Sequence, residues 1–160
     1  MARGAAARYL LAMRSRHLTA GEIALARSIF GNAIVYARVR LIEGKWWPFH
    51  PRRAAMAPMG NIYFHPDGGG WSDDFAAEPL GRQAFFIHEM VHVWQAQTKG
   101  RFYLLLMRHP FCRYDYNLIP GKPFERYGLE QQAEIVTRRF LADRGAQAKG
   151  APPRDLLPFV

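Results

Sequence analysis

The stretch Phe85-Phe86-Ile87-His88-Glu89-Met90-Val91-His92-Val93-Trp94 constrains this chain more than any other, because it sets HExxH inside an apolar helical run. On a helix, residues four apart project from one face, so both imidazoles can reach one zinc ion. Glu89 is displaced around the helix, where it can meet a metal-bound water rather than the metal. Ile87, Val91 and Trp94 form one apolar row and Phe86, Met90 and Val93 another, which predicts a buried helix. Unpaired charge in an apolar interior is strongly unfavourable, and metal ligation satisfies it directly. The plainer alternative is two core histidines bonded to backbone, with Glu89 in an ion pair.

The 160 residues, 49% hydrophobic and 14% aromatic, suit one domain with one core. Apolar stretches such as Tyr103–Met107 fall far short of the roughly 20 residues a membrane span takes. The apolar part of the N-terminus is split by Arg8 and lacks a signal-peptide cleavage pattern, and Met13 is a second candidate start. Residues 1–17 therefore read as an extension open to disorder, 18–145 as the domain, and 146–160 as a tail containing Gly150 and prolines. Cys112 is the single cysteine, which excludes an intrachain disulfide and a cysteine-based zinc site. These features fit a cytoplasmic protein, with export independent of a signal peptide left open. The net charge of +9 invites polyanions, but the arginines are scattered and no binding motif accompanies them, so nucleic acid is not the expected partner.

Along the chain, Thr19 and Glu22 have the spacing of a capping box that opens a helix ending at Gly31. Residues 33–42 alternate as a strand, with Tyr36, Arg38 and Arg40 on the wet face. A hairpin is predicted between 54–57 and 61–65, turning at Met59-Gly60-Asn61. Trp46, Trp47 and Phe49 are candidates to wall a cleft, and Gly68-Gly69-Gly70 marks a flexible turn. The HExxH helix should run from Leu80 to Lys99 and stop at Gly100. A short helix is expected over 104–110, a brief strand over 114–116, and a last helix over 125–143, with an apolar stripe through Leu129, Ala133, Val136 and Phe140. The fold class is α+β, a single domain with a small antiparallel sheet.

A catalytic zinc usually takes three protein ligands and keeps a fourth position open. Gln95 and Thr98 stand where the extended metzincin pattern has Gly and His, which excludes that family. His109 is a candidate third ligand by residue type. The segment Glu130-Gln131-Gln132-Ala133-Glu134 is the other, and here a resemblance enters. HExxH followed by ExxA(D/E) on a second helix resembles the gluzincin-type metallopeptidases. That resemblance implies a zincin-like domain in which Glu130 binds zinc, Glu134 holds a ligand histidine from its far side, and the strand at 62–65 is an edge for an extended peptide. Glu134 departs from the more usual Asp. FIHEMVHVWQ, MRHPFCRYDY and YGLEQQAEIV together resemble small proteobacterial proteins labelled Vgr-related, whose name points to type VI secretion.

The expected activity is a zinc metallopeptidase hydrolysing a peptide or other amide, with Glu89 as general base. Tyr114, Tyr116, Tyr127 and His109 are candidates to stabilise the oxyanion. The expected partners are a peptide or protein substrate and a secretion-system component. The rival readings are a non-catalytic binding module stabilised by zinc and a basic accessory protein tied to type VI secretion.

Overall fold

The computed structural model describes residues 14–107 and 112–159. Strand β1 (Arg14–His17) leads into helix α1 (Ala20–Phe30), and strands β2 (Arg40–Glu43), β3 (Ala55–Met56) and β4 (Ile62–Phe64) follow. Helix α2 (Leu80–Lys99), the short helix α3 (Tyr103–Met107) and helix α4 (Leu129–Ala142) complete the elements, with single 3-10 turns between them. The sheet order is β1-β2-β4-β3. It is mixed rather than antiparallel: β1 and β3 run antiparallel to their neighbours, but β2 and β4 are parallel. The hairpin is present as predicted, with Gly60 supplying the positive φ at its turn. However, β4 lies inside the sheet and β3 forms the edge, reversing the predicted assignment.

The capping box at Thr19 forms, and it extends into a larger network. Glu22 is wholly buried and accepts bonds from both Arg16 terminal nitrogens at 2.8 and 2.7 Å, from the Thr19 amide at 2.9 Å and from the Phe75 amide at 2.9 Å. One carboxylate thus joins β1, the start of α1 and the 3-10 turn Phe75–Ala77 that precedes α2. The sheet therefore begins inside the segment read as an extension. At the other end, Leu157 is buried and the Phe159 ring packs 4.8 Å from Phe30 and 5.1 Å from Trp94, so the tail closes the core.

Three local predictions fail for identifiable reasons. Residues 36–38 form a 3-10 turn, and the strand starts only at Arg40, because Tyr36 turns inward. Its hydroxyl donates to the Gly31 carbonyl at 2.8 Å, leaving Val35 exposed. The 114–116 segment pairs with no strand among the described residues: Tyr116 donates to the Gly150 carbonyl at 2.6 Å and Gln131 donates to that of Asp115 at 2.7 Å. The last helix begins at Leu129 rather than Glu125, after a break at Gly128 whose amide donates to the Gln131 side chain. The Gly68 turn is also built rather than loose, since a Cβ there would meet the Arg52 carbonyl oxygen at 1.7 Å.

Helix α2 matches its predicted bounds, entering after Pro79 and ending at Gly100 with φ of 106°. Its buried residues include Phe86, Ile87, Met90, Val91 and Val93, and it packs along α4, which buries Ala133, Ile135, Val136 and Phe140. Replacing Glu22 by Gln keeps this shape but removes a charge that Arg16 and two backbone amides depend on. The expected cost is about 2–4 kcal/mol, read as a lower urea midpoint at unchanged slope.

Candidate metal centre

Where α2 crosses α4, His88, His92 and Glu130 come together, with one ligand atom from each within 4.8 Å of the others. Glu130 Oε2 lies 3.4 Å from His88 Nε2 and 3.3 Å from His92 Nε2. Two ligands about 2.05 Å from one tetrahedral ion stand about 3.3 Å apart, so these separations are those of donors around a common centre. The donor set of two imidazoles and one carboxylate is also a zinc set. Apart from its approach to Glu130, the buried His92 Nε2 makes no hydrogen bond among the described residues, and neither does the buried Glu89 Oε2. Such atoms are costly unless something polar meets them, and a cation with its water would do so. The residues present therefore fit zinc.

Glu134 sits one turn beyond Glu130 and reaches the opposite nitrogen of the same ring, Nδ1 of His88, at 3.4 Å. It is backed by Arg138 at 3.9 Å. Contact with His88, more than the nearby Arg138, holds the Glu134 carboxyl below the usual carboxylate range. Burial opposes charge on His88, but the Glu130 and Glu134 carboxylates, with the field of Glu89, outweigh it and raise its pKa to about 10.

A cleft of about 400 Å³ reaches the His88 side of this group, lined by Ala54, Ala55, Gly81, Ala84, Phe85, His88, Glu89, Tyr114, Glu134 and Thr137. That volume is within the range of small-ligand and substrate sites. Of the tyrosines singled out from sequence, Tyr114 lines the cleft. Tyr116 does not, its hydroxyl being bonded to Gly150. The Tyr127 hydroxyl accepts from the Ile119 amide at 3.0 Å, and its ring borders a neighbouring cavity with Glu130. His109 lies outside the described residues. Trp46, Trp47 and Phe49 do not wall the cleft: Trp46 packs on Tyr63, while Trp47 and Phe49 pair with each other and are 46% and 76% exposed.

Sequence reasoning missed Gln95 and Gln132. Gln95 Oε1 lies 2.9 Å from His92 Nδ1, and its Nε2 donates to the Leu129 carbonyl at 3.0 Å and to Gln132 Oε1 at 2.9 Å. The available signal was spacing, since Gln95 stands three residues after His92 on the same helical face.

No family model matches the chain. Its sequence is 42% identical over 133 residues to the type VI secretion system spike protein VgrG2b of Pseudomonas aeruginosa, an alignment covering 79% of this chain. The match spans only 13% of that spike protein. The solved effector domain of Pseudomonas aeruginosa VgrG2b superposes with a TM-score of 0.72 at 36% identity, covering 92% of this chain and 89% of that one. The chain belongs to the VgrG2b effector-domain family. The Vgr-related resemblance read from the three sequence segments is thereby supported. Among the described residues, no helix is long and apolar enough to cross a membrane.

The state of His88 gives a test of the site as a metal centre. A raised pKa means that the charged ring stabilises the metal-free fold fully below about 6.5, a contribution lost as pH rises through about 10. An ion binding at pH 7.5 must displace that proton. Calorimetry in buffers of different ionisation enthalpy is expected to show release of about one proton per zinc, with affinity rising as pH rises.

Proposed function

We propose that this VgrG2b-type domain is a gluzincin-like zinc hydrolase acting on peptide or other amide bonds. The observation that carries the reading is the convergence of His88, His92 and Glu130 within 4.8 Å, beside a Glu89 that lines an open cleft. A zinc ion held by these three residues would supply an acidified water and polarise the scissile carbonyl. Glu89 accepts the proton of the attacking water and delivers it to the leaving amine, a role open to a carboxylate whose Oε2 has no hydrogen bond among the described residues. Tyr114, the one of the three candidate tyrosines that lines the cleft, is the residue assigned to donate to a developing oxyanion. Ala54 and Ala55, at the edge strand, offer small side chains that leave room for an extended substrate.

The name of the curated relative ties it to type VI secretion. Carried to this chain, the proposal makes it an effector whose partner is a secretion spike and whose export needs no signal peptide.

Metal analysis should find one zinc per chain. Glu89→Gln should keep that zinc but reduce cleavage of a peptide library by at least about 100-fold, the lower bound for a general base. Retained zinc with undiminished cleavage would remove Glu89 from the mechanism. Absence of cleavage by the wild-type zinc form would favour a non-catalytic, zinc-stabilised binding module.

The two acids on α4 should separate cleanly. Glu130 is inaccessible and touches both ligand histidines, whereas Glu134 is partly exposed and, of the two histidines, touches His88. In competition with a calibrated chelator, Glu134→Gln should weaken zinc binding about 10–100-fold, and Glu130→Gln should weaken it more. The reverse ranking would exchange their roles.

A further inference from the structure

The hydrogen-bond chain behind His92 has a direction, and that direction can be read from its ends. A backbone carbonyl only accepts, so Gln132 must turn its amide nitrogen toward the Tyr127 carbonyl, 2.9 Å away, leaving its Oε1 for Gln95. Gln95 meets two acceptors, Gln132 Oε1 and the Leu129 carbonyl, so its own nitrogen faces them and its Oε1 faces His92. An acceptor 2.9 Å from His92 Nδ1 requires a proton on that nitrogen. In the neutral ring Nε2 then keeps its lone pair, and Nε2 is the buried atom that lies 3.3 Å from Glu130 Oε2 and makes no hydrogen bond among the described residues.

Both glutamines are in the interior, at 0% and 4% exposure, where an unmatched amide is costly. Glutamine in that setting is selected by its two ends: one accepts and the other donates, as this relay needs. A carboxylate in place of Gln95 would still accept from His92, but it would face two further acceptors. The chain also spans the helix pair. It starts on α2 at His92 and ends on backbone at Leu129, the residue immediately before Glu130.

We infer that Gln95 is a positioning residue: with Gln132 it forms a neutral relay that fixes His92 in its Nδ1–H tautomer and registers the ligand face of α2 against the start of α4. The relay keeps Nε2 available to a metal before any metal arrives. The inference deepens the proposed metal site and relies on it for the effect on affinity, whereas the tautomer is a property of the metal-free chain.

Side-chain nitrogen and carbon NMR on the metal-free full chain at pH 8 should find the His92 proton on Nδ1. Gln95→Leu, which fills similar volume without either polar end, should shift that signature toward Nε2 protonation. It should also weaken zinc binding by about 10–100-fold in chelator competition. Gln132→Met leaves the Leu129 carbonyl to orient Gln95, so it should keep the tautomer and lose less affinity. A proton on Nε2 in the wild type overturns the inference without any variant having to fold. A folded Gln95→Leu chain with unchanged tautomer and unchanged affinity overturns it as well. The expected tautomer in a wild-type chain that takes up no zinc would uphold the relay while removing the metal reading.

Discussion

The Glu130 carboxylate, buried between two imidazoles where α2 crosses α4, is the constraint on which the rest of the structure depends. Burying a carboxylate costs several kcal/mol unless charge and hydrogen bonding compensate. Compensation requires that both histidines arrive at one point, hence a straight α2 through residues 88–92 and a fixed crossing of α4. The apolar surroundings provide the fixing. Ala133 and Val136 press the α4 stripe into the core, and Phe86, Val93 and Trp94 anchor the other faces of α2. Phe159 then covers Trp94 and Phe124 from the tail, so distant parts of the chain share in holding one polar cluster.

The two histidines are held by different chemistry, and their depth accounts for the difference. His88 lies at the cleft, and its outer nitrogen meets Glu134, a carboxylate that keeps access to water and to Arg138. His92 is deeper, at 1% exposure, and its outer nitrogen meets an amide. A second carboxylate at that depth would sit close to Glu130, and like charges at low dielectric repel strongly. An amide orients the ring without adding charge. The neutral partner thus goes to the buried histidine and the charged one to the histidine that solvent can reach.

Much of this was legible in the sequence because it rests on local rules. Pro79 and Gly100 bracket α2, Thr19 and Glu22 declare the start of α1, and the spacing of Glu130 and Glu134 puts both on the face of α4 that meets His88. What was not legible depends on partners distant in sequence. Glu22 reads as a cap but also carries Arg16 and the Phe75 amide, a bond spanning 53 positions. Tyr36 fits the wet face of an alternating strand, yet its hydroxyl finds the carbonyl at the end of α1 and pulls the ring inward. Gln95 and Gln132 look like surface residues of amphipathic helices, and only the approach of the two helices makes them an interior pair.

The sheet shows how topology decides what a site can receive. A simple meander would have placed β4 outermost, as the hairpin alone suggests. Instead the chain crosses from β2 to pair β4 in parallel with it, which sends β3 to the edge beside the cleft. An open edge is a liability, because unpaired backbone groups recruit other strands. Here β3 has only two residues, the Ala54 carbonyl just before it is taken by His50 Nε2 at 2.8 Å, and Pro58 soon follows. The short run that remains borders the cleft with His88 and Glu89, with small alanine side chains at 54 and 55. A two-residue edge whose preceding carbonyl is already engaged is therefore too short to invite aggregation.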